Sequence, residues 1–150
     1  MFVVVAAGNS NKDACTGSPS SEPTAFTVGS SSIDDSRSYF SEYGECVDTF
    51  APGEQIYSTV AGNDYAYLSG TSMATPLVAG IASYLATEMD TTNPDEIKFI
   101  FQCLATQDAV TDAKSTMNIL PYDDLSEFNP NNPWCVSQLK ENPHYKRFLA

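Results

Sequence analysis

The stretch Gly70-Thr71-Ser72-Met73-Ala74-Thr75-Pro76, followed by Val78-Ala79-Gly80, is the part of this sequence best suited to chemistry. It sets a serine hydroxyl where a run of apolar residues at helical spacing begins. Glycine before it permits a close backbone approach, and first-turn amides present the positive end of a dipole to a developing oxyanion. That is a suitable seat for a nucleophile attacking a carbonyl. The plainer alternative is that Ser72 is only a helix N-cap, a position serine commonly takes. A serine nucleophile also needs a base. The one histidine, His144, lies far downstream in a polar tail, where a lone histidine is expected to be inert. Some hydrolases do run in the order Ser, Asp, His, but the sheet implied below is not theirs.

Several elements must position that serine. Phe2-Val3-Val4-Val5-Ala6-Ala7 is an unbroken, largely β-branched run that stops at Gly8-Asn9, and it predicts a strand buried on both faces in the middle of a parallel sheet. A domain rarely opens on its central strand, so a preceding segment is expected. By itself Gly8-Asn9 reads as a turn. A polar, turn-rich stretch follows to Glu22, and further strands are predicted over Ala25 to Gly29, Cys46 to Phe50, Ile56 to Val60 and Tyr65 to Leu68. Leu77, Val78, Ile81, Ala82, Leu85, Ala86 and Met89 recur at three- and four-residue intervals, so a helix runs from about Ser72 to Glu88. It is apolar around much of its girth, which predicts burial. A second helix is expected at Asn93-Pro94-Asp95-Glu96, with Asn93 as cap, proline at the first helical position and Glu96 completing a capping box. Residues 1–120 read as one domain and 121–150, rich in Asp, Asn and Pro, as an extension outside its core.

Composition narrows the function classes. The 150 residues are 42% hydrophobic and 17% charged, a globular balance. Nineteen acidic against seven basic residues give a net charge of -12, which repels nucleic acid and anionic membrane surfaces. No apolar run approaches the length needed to span a bilayer. The four cysteines, Cys15, Cys46, Cys103 and Cys135, lack the close paired spacing of zinc sites; their even number suits disulfides and an oxidising compartment.

The serine heptapeptide closely resembles the signature of the subtilases, the subtilisin-like serine proteases. Ala6-Ala7-Gly8-Asn9 and Tyr43-Gly44 with Phe50-Ala51-Pro52-Gly53 resemble further family segments in the family's order, over about residues 2 to 118. The likeness is to the proteinase K and aqualysin branch. It implies an α/β fold, the subtilisin-like three-layer sandwich with a mostly parallel sheet, of which this chain is the C-terminal part. It implies serine endopeptidase activity on polypeptide substrates, with Ser72 as nucleophile and Asn9 donating to the oxyanion. Ala6, Ala7, Gly8 and Gly70 would then bind substrate. Gly17 falls where related enzymes can place a tyrosine over the pocket, leaving the rim open.

The same resemblance implies structural calcium held by the carbonyls of Pro23 and Ala25 and the carboxylate of Asp48, and a Cys15–Cys46 disulfide. Cys103 and Cys135 are then paired by elimination. It also implies secretion and a monomer when complete. In subtilases the aspartate and histidine precede the Val-rich strand, so they are expected on a missing N-terminal part, and the chain alone is expected to be nearly inactive. Leu77 stands where the family usually has a histidine outside the triad, which affects packing only. The competing readings are an inactive subtilase remnant that binds peptides and an unrelated disulfide-stabilised domain.

Overall fold

The computed structural model describes residues 1–125 and 135–137. Its elements are β1 (Val4–Ala6), β2 (Phe26–Ser31), β3 (Thr49–Pro52), β4 (Ile56–Val60), β5 (Asp64–Leu68), α1 (Thr71–Glu88), α2 (Pro94–Leu104), β6 (Thr106–Gln107) and β7 (Ile119–Leu120). β1, β2 and β3 form a parallel sheet in that order, with Val5 beside Thr27 and Val28 beside Thr49. β4 and β5 form a separate antiparallel hairpin that leads into α1. Among the described residues no helix is long and apolar enough to cross a membrane.

Alternation along the strands divides the core between the two faces of the sheet. Phe26, Val28 and Ala51 point to one face and pack with Ala74, Val78 and Leu85 of α1 and Phe99, Ile100 and Phe101 of α2. Phe50 points to the other, where Ala7, Ala14, Val47, Val110 and Ala113 cover it from loops. Both helices lie on the first face; the second is closed by loops among the described residues.

Two burial expectations change. The apolar run at residues 2–7 predicts a central strand, but β1 is half-buried at the sheet edge, and β2, buried at all six residues, holds the centre. No strand lies beyond β1 among the described residues, so its side chains keep contact with solvent. α1, apolar around much of its girth, is expected to be buried; among the described residues Thr71, Ala74, Val78, Ala82 and Leu85 form one buried stripe. Leu77 and Tyr84, on the remaining surface, are 42% and 43% exposed. The sheet and α2 reach only one side of the helix.

The caps and bridges explain the rest. Asn93 Oδ1 accepts from the Asp95 amide at 3.0 Å, as expected of an N-cap. The capping box is closed through Thr91, whose hydroxyl accepts from the Asn93 amide at 3.2 Å and donates to Glu96 Oε2. β3 starts later than predicted because Cys46 is tied to Cys15, with Cα atoms 5.3 Å apart, and Val47 closes a turn onto Gly44. Cys103 bonds Cys135, so the segment read as an extension sends a buried cysteine into the α1–α2 core. His144 lies outside the described residues, as do Trp134 and Phe148.

Candidate active site

Ser72 is the second residue of α1, and Gly70 is the N-cap without any side-chain capping bond. The N-cap reading of Ser72 therefore fails. Its side chain is exposed, with no hydrogen bond to a described residue, and is free to meet a ligand. Pro76 lacks the amide that would bond the Ser72 carbonyl, and Thr75 Oγ1 donates to the Thr71 carbonyl at 2.8 Å one residue before it.

Capping comes from another segment. Asn9 lies just after β1, and its Oδ1 accepts from both the Thr71 amide and the Thr71 hydroxyl at 2.9 Å. Thr71 Oγ1 in turn accepts from the Gly8 amide at 3.3 Å. Two donors on Oδ1 fix the orientation of the Asn9 amide and leave Nδ2 turned toward Gly70. A methyl group placed on Gly70 would sit 3.5 Å from Asn9 Nδ2 and 3.7 Å from the Ser72 amide nitrogen. Two donors thus flank one spot beside the serine. An oxyanion hole is built from two donors of this kind.

The close approach expected of Gly70 is made by a different glycine. Gly70 has an extended backbone, φ 161°, and room for a side chain. At Gly53 a side chain would come within 2.7 Å of the Gly70 carbonyl oxygen, while the Gly53 carbonyl accepts from the Gly70 amide at 2.7 Å. Gly53 is what lets the end of the β4–β5 hairpin bring Ser72 against the sheet. Ala6 ends β1, Ala7 is buried and Gly8 turns with φ 117°, so this segment runs along one side of the donor pair.

The profile of the subtilase family matches residues 1–119. The chain belongs to the subtilase family. It is 48% identical over 82% of its length to a cuticle-degrading protease of Metarhizium anisopliae, 32% of which is covered. It is 43% identical over 97% of its length to cerevisin of Saccharomyces cerevisiae, 26% of which is covered. A crystal structure of a cold adapted subtilisin-like serine proteinase superposes with a TM-score of 0.77 at 46% identity, covering 79% of this chain and 44% of that one. The fold is accordingly the subtilisin-like α/β fold. This subtilase chain spans less than a third of the length of those two curated relatives.

Subtilases commonly bind structural calcium, and Pro23, Ala25 and Asp48 do come together, lining one cavity of about 170 Å³. The Asp48 carboxylate there is already engaged. Asp48 Oδ2 accepts from the Thr27 amide at 2.8 Å, and Oδ1 is paired with the Lys98 ammonium of α2 at 2.7 Å. Calcium wants six to eight oxygens and tolerates no cation against them. Among the described residues no group of three or more His, Cys, Asp or Glu could hold a metal ion.

Sequence reasoning missed Lys98, because a lysine at one helix position says nothing about a strand fifty residues away. It also missed Thr71, whose place beside Ser72 was the available signal. Arg37 was missed as well. Its buried guanidinium donates to the Ser41 carbonyl at 2.6 Å, Asn11 Oδ1 at 3.0 Å and Asp112 Oδ2 at 3.1 Å. It ties the loop before β3 to the segment after Asn9. Partial burial pushes the Asp112 carboxyl up, but the Arg37 hydrogen bond and the Lys114 charge outweigh this and hold it below its usual range.

Proposed function

We propose that this chain carries the nucleophile and oxyanion hole of a secreted serine endopeptidase. Ser72 Oγ attacks the scissile carbonyl of a polypeptide, a base takes its proton, and the Asn9 Nδ2 and Ser72 amide donors hold the negative oxygen of the tetrahedral intermediate. The Asn9–Thr71 network beside an unencumbered Ser72 is the observation that carries this reading. An inert remnant has no need of an amide oriented by two donors.

In this reading the histidine base and its aspartate belong to a part of the protein outside these 150 residues. The short coverage of the relatives supports that, as do the open edge of β1 and the exposed apolar side of α1. Ala6, Ala7 and Gly8, with Gly70, line the substrate side. Residues 1–120 form part of the peptidase domain, supported by a family match that ends at residue 119. The disulfides Cys15–Cys46 and Cys103–Cys135 suit an extracellular setting.

In the full-length protein a fluorophosphonate should label Ser72, read as a mass increase on its peptide. Ser72→Ala should abolish labelling and lower turnover on the order of a million-fold. A folded full-length protein that neither labels nor turns over peptide is not a protease.

A further inference from the structure

Glu42 is buried, 5% exposed, yet no described residue donates a hydrogen bond to its carboxylate or forms an ion pair with it. Leaving a carboxylate out of water without a partner is costly, and such groups are normally paired. Among the described residues the only fully enclosed side-chain polar atom without a partner is Ser31 Oγ, so the Glu42 oxygens keep a narrow opening. Where they face is set by two glycines. A methyl group on Gly8 would lie 2.5 Å from Glu42 Cδ and 2.7 Å from each carboxylate oxygen, and one on Gly17 would lie 3.9 Å from Oε2. The carboxylate therefore rests against the Gly8 backbone, one residue from Asn9.

The position is held firmly. The Glu42 amide donates to the Gly8 carbonyl at 2.9 Å, and the preceding Ser41 carbonyl is gripped by Arg37. Arg37 donates to Asp112, Asn11 and carbonyls and makes no ion pair with Glu42. Among the described residues no cationic group meets the Glu42 carboxylate.

We propose that Glu42 forms the charged floor of the primary specificity pocket and that the enzyme cleaves after lysine or arginine. This rests on the reading of Ala6 to Gly8 as that pocket's wall. A substrate ammonium or guanidinium would approach past Gly17, which has no side chain of its own, toward a carboxylate that no described residue pairs. The pair forms out of water, where a charge-assisted hydrogen bond is strongest, and the net charge of -12 adds a favourable field for cationic substrates.

The test uses the full-length enzyme and two peptide anilides that differ only in lysine or leucine before the scissile bond. Wild type should prefer the lysine substrate in kcat/KM, and Glu42→Gln, which keeps the shape, should lower that preference at least about 30-fold while hydrolysis after leucine persists. A wild-type preference for leucine, or an unchanged ratio in Glu42→Gln, overturns the proposal even if the variant is the only one that folds poorly, since the wild-type ratio stands alone. Fluorophosphonate labelling of Ser72 separates the two readings: labelling without lysine preference sinks Glu42 alone, and no labelling sinks the protease reading with it.

Discussion

At the residue scale the geometry around Ser72 depends on Thr71, which holds Asn9 in place. Its hydroxyl is shared between the Gly8 amide and Asn9 Oδ1, so it ties the end of β1 to the start of α1 and turns Asn9 Nδ2 outward. Thr71→Val keeps the shape and removes the hydroxyl. Both of its hydrogen bonds are lost, and a net loss of about 1.4 kcal/mol predicts a kcat lower by about 10-fold with KM little changed, which Thr71→Ser should restore. Asn9→Ala removes a donor outright and should cost about 100- to 1,000-fold in kcat, the size known for the oxyanion asparagine of subtilisin. Equal effects on kcat and on substrate binding would instead make both residues structural.

Between elements, the decisive contacts are made by charges. Lys98 of α2 pairs with Asp48 just before β3 and lies 5.5 Å from the centre of the Phe26 ring on β2. An ammonium in this place makes the contact independent of free calcium. Chelation should therefore shift the melting temperature of the full-length protein equally in wild type and Asp48→Asn; a shift that Asp48→Asn removes would mean that calcium displaces the lysine. Arg37 joins three loops, and Arg37→Met strands the Ser41 and Ser38 carbonyls, at a cost of about 3 kcal/mol read by urea unfolding. Its partner Asp112 has a depressed carboxyl pKa in the fold. A folded-state value below the unfolded one gives stability that is present above the unfolded pKa and lost as pH falls through the folded one. Unfolding midpoints of Asp112→Asn should accordingly fall less than wild type as pH drops below about 4.

On the scale of the whole molecule, the two sides of α1 differ among the described residues. The disulfides close sequence separations of 31 and 32 residues, each adding about 3 to 4 kcal/mol in the loop-entropy model. The outer side of α1 has no cover among the described residues. If the rest of a subtilase domain packs there, Leu77→Asp in the full-length protein will destabilise it by about 2 to 5 kcal/mol, as core substitutions do. An effect within 0.5 kcal/mol, usual for surface changes, would leave that side facing solvent.

What could be read from the chain alone was whatever is local. The helix over α1 and the Asn93 cap follow from spacing and residue type within a few positions, and Ile56–Val60 needed only β-branched residues between turns. Ser72 and Asn9 stood out because a motif is contiguous. Apart from the cysteine pairs that the family resemblance implied, partnerships across the fold were not legible. That β1 lies at an edge, that Gly53 rather than Gly70 permits the close approach, and that Lys98 reaches Asp48 depend on which surfaces meet, which no short window encodes. Glu42 is the clearest case. In sequence it is one acid among nineteen acidic residues, and only the tertiary structure presses its carboxylate against Gly8 with no partner among the described residues.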